Sequence, residues 1–137
     1  MADHSATVEK LKQIAQQFAQ ERDWKQFHTP KNLAMNIGIE AAELMDFFVW
    51  LDNEGAEKAL ISKRTAIEDE IADIFLSLML FCNNTGIDLS VAFENKLEKL
   101  RAKYPSEAYK GKSVAQMFEH YDEKHWKSRL RKDAANS

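Results

Sequence analysis

Apolar residues recur along this chain at steps of three and four, the period of a helix with one buried face. Val8, Leu11, Ala15, Phe18 and Ala19 share one stripe and predict a first helix from about Ser5 to Arg22. "RDWKQFHTP" then breaks the pattern. Thr29 before Pro30 is a helix start, with a capping oxygen and a proline at the first helical position. A second helix is expected from there to about Asn53, with Leu33, Ile37, Leu44, Phe48 and Leu51 on its stripe. "LDNEGAEKALIS" reads as a connection with room for one helical turn, and Ser62 as the cap of a third helix. That helix carries Ile67, Ile71, Ile74, Leu78 and Phe81 to about Asn84, and Gly86 suits its C-terminal cap. Asp88 can cap a fourth, "LSVAFENKLEKLRAKY", which Pro105 stops. Beyond Ser106 the pattern weakens. Val114, Met117, Phe118 and Tyr121 fit a short amphipathic helix, and the polar end is expected to fray. No strand alternation and no repeat stand out. The expected fold is all-α, a four-helix bundle with a short extra C-terminal helix or tail.

Twice the apolar pattern is interrupted by acids three residues apart. Glu40 and Glu43 stand in "GIEAAEL", Glu70 and Asp73 in "EDEIADI". At that spacing two side chains share one helix face, a turn apart. Glu40 lies among Ile37, Ala41 and Leu44, and Asp73 between Ile71 and Ile74, so the acids sit on or beside the apolar stripe. If the second and third helices are neighbours, four carboxylates can meet. They would repel and raise one another's pKa, and a hard divalent cation would remove that penalty. Oxygen-only ligands favour Mg²⁺ or Mn²⁺. The plainer reading is a solvated acidic face, since Asp46, Glu68 and Asp69 also fall nearby. Spacing alone leaves both open.

Composition narrows the partners. The 137 residues suit one core, and 45% hydrophobic with 30% charged residues is the balance of a globular chain. A net charge of −3 offers no basic footprint for nucleic acid. No apolar run approaches the roughly 20 residues that span a bilayer, and the N-terminus has no apolar signal-peptide core. The expected compartment is the cytoplasm. The single cysteine, Cys82, lies in the apolar run "SLMLFCN" and reads as a buried, inert thiol.

Trp24, Phe27 and His28 cluster before the second helix, and Trp50 lies at its far end. They can wall a flat pocket for a ring, or cap the bundle as core. Lys96, Arg101 and Lys103 on the fourth helix can meet phosphates or be ordinary solvated charges. A ferritin-like di-iron site needs Glu-x-x-His on two helices. No Glu here has His three residues later, and only Asp122 and His125 come near.

Together these residues resemble the MazG-like all-α nucleoside triphosphate pyrophosphohydrolases, most closely the dCTP pyrophosphatase branch. The hallmark E-x-x-E followed by E-x-x-D matches Glu40, Glu43, Glu70 and Asp73. The likeness extends over "ERDWKQFHTPKNLAMNIGIEAAELMDFFVW", "DEIADIFLSLMLFCNNTGIDL" and "NKLEKLRAKYP". The chain departs from it at Leu100, where Asn is frequent, and at Ser77, where some members have an aromatic.

The resemblance implies a MazG-like domain over residues 1–112 and a C-terminal extension over 113–137. It implies hydrolysis of a nucleoside triphosphate to monophosphate and pyrophosphate, with dCTP-like substrates preferred and nucleotide-pool cleaning as the role. Glu40, Glu43, Glu70 and Asp73 would hold Mg²⁺ and activate water. Trp24, Phe27, His28 and Trp50 would enclose the base, Asn36 would lie near the sugar, and Lys96 would meet phosphate. A homotetramer built as a pair of dimers is implied, with neither nucleic acid nor membrane as partner. The alternatives are a broad or dUTP-directed pyrophosphatase and a non-catalytic helical interaction module.

Overall fold

The computed structural model describes residues 2–118. The predicted extension is therefore described only to Phe118, and Tyr121, Asp122 and His125 lie outside the described residues. Every regular element among the described residues is helical: α1 (Val8–Gln20), α2 (Pro30–Asp46), α3 (Asn53–Ser62), α4 (Arg64–Thr85), α5 (Leu89–Lys103) and α6 (Ser106–Tyr109). Single 3₁₀ turns stand at Asp3–Ser5 and Trp24–Gln26. The all-α expectation holds.

Local chemistry sets the helix starts. The Thr7 hydroxyl accepts from Lys10 N at 3.1 Å and the Thr29 hydroxyl from Asn32 N at 3.2 Å. Each satisfies a backbone donor that the first turn leaves without an intrahelical partner. Asp88 Oδ1 accepts from Val91 N at 3.0 Å in the first turn of α5. α4 ends at Gly86, whose φ of 69° is open to glycine at little cost.

Two boundaries differ from the sequence reading. α2 stops at Asp46, not near Asn53. Phe48 N and Val49 N both bond Met45 O, at 2.9 and 3.0 Å, and Leu51 N bonds Phe48 O at 2.9 Å, so a run of turns replaces the helix. "FFVW" consists of aromatic and β-branched residues, which favour helix less than leucine or alanine does. Asp52 then takes an extended conformation to cap a new helix. The second difference is that helix: α3 spans ten residues where a connection was expected. Asp52 Oδ1 accepts from Gly55 N at 2.8 Å, and a Cβ on Gly55 would stand 3.1 Å from that oxygen. Ser62 closes α3, its hydroxyl donating to Lys58 O, and does not cap α4.

The residues fall into two compact units, one up to Ala92 and one from Phe93. In the first, α4 is the central helix. α2 packs along it most extensively, and α1 and α3 also lie against it. Ala15 and Ala19 of α1, Leu33 of α2, and Met79 and Leu80 of α4 form the buried cluster. The small residues on α1 let its backbone approach α4 closely. Cys82 is 2% exposed, as its apolar neighbours predicted. In the second unit, Tyr104 and Tyr109 meet edge to face with ring centroids 5.6 Å apart. Residues 114–118 are helical. No single helix among the described residues is long and apolar enough to cross a membrane.

Candidate active site

Because α2 runs along α4, the acids of both helices face one region. Carboxylate oxygens of Glu40, Glu43 and Glu70 lie within 4.8 Å of one another. Glu40 and Glu70 are half-buried, and Glu43 is exposed. Asp73 is exposed, one turn after Glu70 on α4. It falls outside the tight group of three but acts on Glu70 electrostatically. The Glu70 carboxyl is pushed above its ordinary 4.5, first by loss of hydration and then by repulsion from Glu43, Glu40, Asp73 and Asp69. Among the described residues the ion pairs are Arg22–Glu21, Lys58–Glu54 and Arg64–Glu68, so none neutralises this cluster.

Three converging carboxylates with no basic partner among the described residues suit a hard cation. All its donors are oxygen, the set that Mg²⁺ or Mn²⁺ prefers, and among the described residues no nitrogen or sulfur ligand for zinc joins the group.

A cavity of about 440 Å³ adjoins the acids. Trp24, Phe27 and His28 from the loop wall one side, and Leu33 and Asn36 of α2 with Asp73, Leu76, Ser77 and Leu80 of α4 line the rest. Trp24 stands edge to face with Phe18 at 5.6 Å and with His28 at 5.7 Å. The Arg22 guanidinium lies over the other aromatic, Phe18, at 3.7 Å. Asn32 also lines the cavity, and its side-chain amide donates to Phe27 O at 2.9 Å, tying the loop to the first turn of α2.

Two residues join cavity and acids. Asp73 lines the one and repels within the other. Asn36 Nδ2 donates to Glu40 Oε1 at 3.0 Å and to Ser77 Oγ at 2.9 Å. A flat hydrophobic wall beside an oxygen cluster can hold a ring at one end of a molecule and an anionic, metal-bridged group at the other.

Of the residues singled out in the sequence, Trp24, Phe27, His28, Asn36 and Asp73 meet at this cavity. Trp50 does not line it. That ring stands 91% exposed in the turn after α2. Lys96 is an exposed residue of α5 in the second unit. Sequence reasoning missed Asn32 as a lining residue and met Ser77 only as a departure from a family pattern. A polar residue between Leu76 and Leu78 on an apolar helix was the available signal.

Residues 35–118 match the MazG-like family, a stretch that includes all four acids. The chain is 34% identical to dCTP pyrophosphatase 1 of Mus musculus over 107 residues, which is 77% of this chain and 63% of the relative. It is 33% identical to dCTP pyrophosphatase 1 of Homo sapiens over 102 residues, 73% of this chain and 60% of that one. It thus spans less than two thirds of the length of these relatives. A crystal structure of a pyrophosphatase from Archaeoglobus fulgidus matches with a TM-score of 0.70 at 36% identity, covering 77% of this chain and 98% of the other. The family match runs over more than half of the residues and through both acid-bearing helices, and the chain belongs to the MazG-like family.

Proposed function

We propose that this protein is a nucleoside triphosphate pyrophosphohydrolase. It cleaves the α–β phosphoanhydride bond of a deoxynucleotide, dCTP-like by preference, to the monophosphate and pyrophosphate. The observation that carries this reading is the joining of an acid cluster on α2 and α4 to an aromatic-walled cavity through Asn36 and Asp73. The names of the dCTP pyrophosphatase relatives and of the archaeal pyrophosphatase support it.

Carboxylates alone would repel a triphosphate, so Glu40, Glu43, Glu70 and Asp73 act in this reading as ligands for Mg²⁺, with Mn²⁺ as a substitute. Bound there, the cation would supply charge neutralisation for the phosphates and a more acidic water. Glu43 or Glu70 would serve as the base that takes a proton from the attacking water. Trp24 and Phe27 offer ring faces to the base, and His28 adds a polar edge. Lys96 serves as a phosphate-binding group.

We further place the protein in the cytoplasm, as a homotetramer built from two dimers, cleaning the nucleotide pool. Met35, Ile39, Ile71 and Phe75 on α2 and α4 are each at least 40% exposed, an apolar face of the kind that a second copy covers. Trp50 belongs to this reading as a wall supplied at a subunit boundary.

The test is a panel of dNTPs and NTPs with Mg²⁺, products separated by chromatography. Pyrophosphate and monophosphate are expected, with dCTP among the best substrates. Orthophosphate and nucleoside diphosphate would overturn the assignment of the cleaved bond. No turnover of any nucleotide would favour a non-catalytic helical module.

A further inference from the structure

The hydrogen bonds of Asn36 fix more than a side-chain position. Glu40 as a carboxylate can only accept, so the part of the Asn36 amide turned towards it must be the NH₂ group. The same nitrogen donates its second hydrogen to Ser77 Oγ, on a residue 4% exposed on the neighbouring helix. Both N–H groups are thereby engaged. Asn36 lines the cavity, and among the described residues its Oδ1 accepts no hydrogen bond. The group it has left for a ligand is an acceptor. The usual ambiguity of an amide, which can turn either edge to a ligand, is removed by the acid on one side and the serine on the other.

We propose that Asn36 is a specificity-determining residue whose Oδ1, held in place by Glu40 and Ser77, selects a nucleotide that presents an O–H or N–H donor to the cavity. Ser77 is the positioning residue. This rests on the pyrophosphohydrolase reading above and adds the polarity of the recognised group. Two donors on a deoxycytidine nucleotide fit that chemistry: the 3′-hydroxyl of the sugar and the 4-amino group of the base. A site built to bond such a donor rejects the analogue that lacks it, because the acceptor is then left unpaired. The small, buried serine side chain also leaves room beside Leu76 and Leu80 for the group that is read.

The experiment compares three nucleotides: dCTP, 2′,3′-dideoxycytidine triphosphate without the 3′-hydroxyl, and the 2-pyrimidinone deoxynucleotide without the 4-amino group. kcat/KM is measured for wild type, Asn36→Ala, Ser77→Ala and Ser77→Thr. Calorimetric affinities for the same nucleotides read the same ratios without turnover. Wild type is expected to disfavour one analogue by about tenfold or more, and which one identifies sugar or base as the source. In Asn36→Ala that ratio should collapse to within about threefold. Ser77→Ala frees one N–H and should lose part of it, and Ser77→Thr, with the hydroxyl kept, should restore it. A wild type that treats all three alike overturns the proposal, and so does an Asn36→Ala variant that keeps the wild-type ratio in both kinetics and binding. If Asn36→Ala does not fold, the Ser77 variants decide: an unchanged ratio in Ser77→Ala overturns the proposal. Absence of pyrophosphate release from every nucleotide removes the pyrophosphohydrolase reading instead, and the calorimetric ratios then judge Asn36 by themselves.

Discussion

Glu70 carries the clearest electrostatic burden of any single residue here. Lost hydration and four neighbouring acids all push its pKa upward. A carboxyl with a raised folded-state pKa binds its proton more tightly in the folded than in the unfolded chain. Its stabilising contribution is therefore complete below the ordinary value of 4.5 and is lost as pH rises through the raised one. In the presence of a chelator, the melting temperature should fall as pH climbs above 4.5. Glu70→Gln should flatten that fall and raise the metal-free melting temperature at neutral pH, and a steeper fall in the variant would count against the electrostatic account. With Mg²⁺ the same substitution acts in the opposite sense. Glu40→Gln, Glu43→Gln, Glu70→Gln and Asp73→Asn should each lower kcat/KM by more than the roughly 10–100-fold typical of an outer-shell partner, with helical circular dichroism unchanged. Near-normal turnover in any two of them would contradict a shared site. Trp24→Ala should raise KM for dCTP by an amount matching the loss of a base stack, about 1–3 kcal/mol, and leave the metal requirement as it was.

At the scale of elements, the helices that carry the acids have separable duties. Gly86 holds a φ of 69° at the end of α4, and Gly86→Ala should lower stability by about 1–2 kcal/mol, the cost of a left-handed conformation for an L-residue. Asp73 lies about 20 Å back along the helix at 1.5 Å per residue, so kcat/KM below the melting range should stay within about twofold of wild type, as for distant independent sites. Calorimetric melts and steady-state rates on one preparation check both halves. The same helices explain what a linear reading can reach. Thr29–Pro30 and Gly86 were legible because caps are local chemistry. The acid pairs were legible because three-residue spacing fixes a shared face on any helix. The end of α2 was hidden because Phe47 to Leu51 continues an apolar pattern through a turn whose cause, the cap at Asp52, lies beyond it. The Asn36–Ser77 bond joins residues 41 positions apart, and only the packing of α2 on α4 brings them together.

For the molecule as a whole, the apolar faces left open on α2 and α4 set an expectation about mass. Light scattering at micromolar concentration should give a multiple of 15.8 kDa, and a stable monomer would contradict the tetramer. A different use follows from Cys82. It is the single cysteine of the chain, and it stands on the buried side of α4, its sulfur sealed in the first unit. A thiol reagent therefore has one target, reachable only when that region opens. The rate of labelling becomes an intrinsic clock for the transient opening of the helix bearing half of the acid cluster, readable by mass spectrometry without an added dye. Cation and nucleotide binding to the closed form should slow that clock in proportion to their occupancy, which makes a residue with no part in the chemistry a gauge of how tightly the site is held shut.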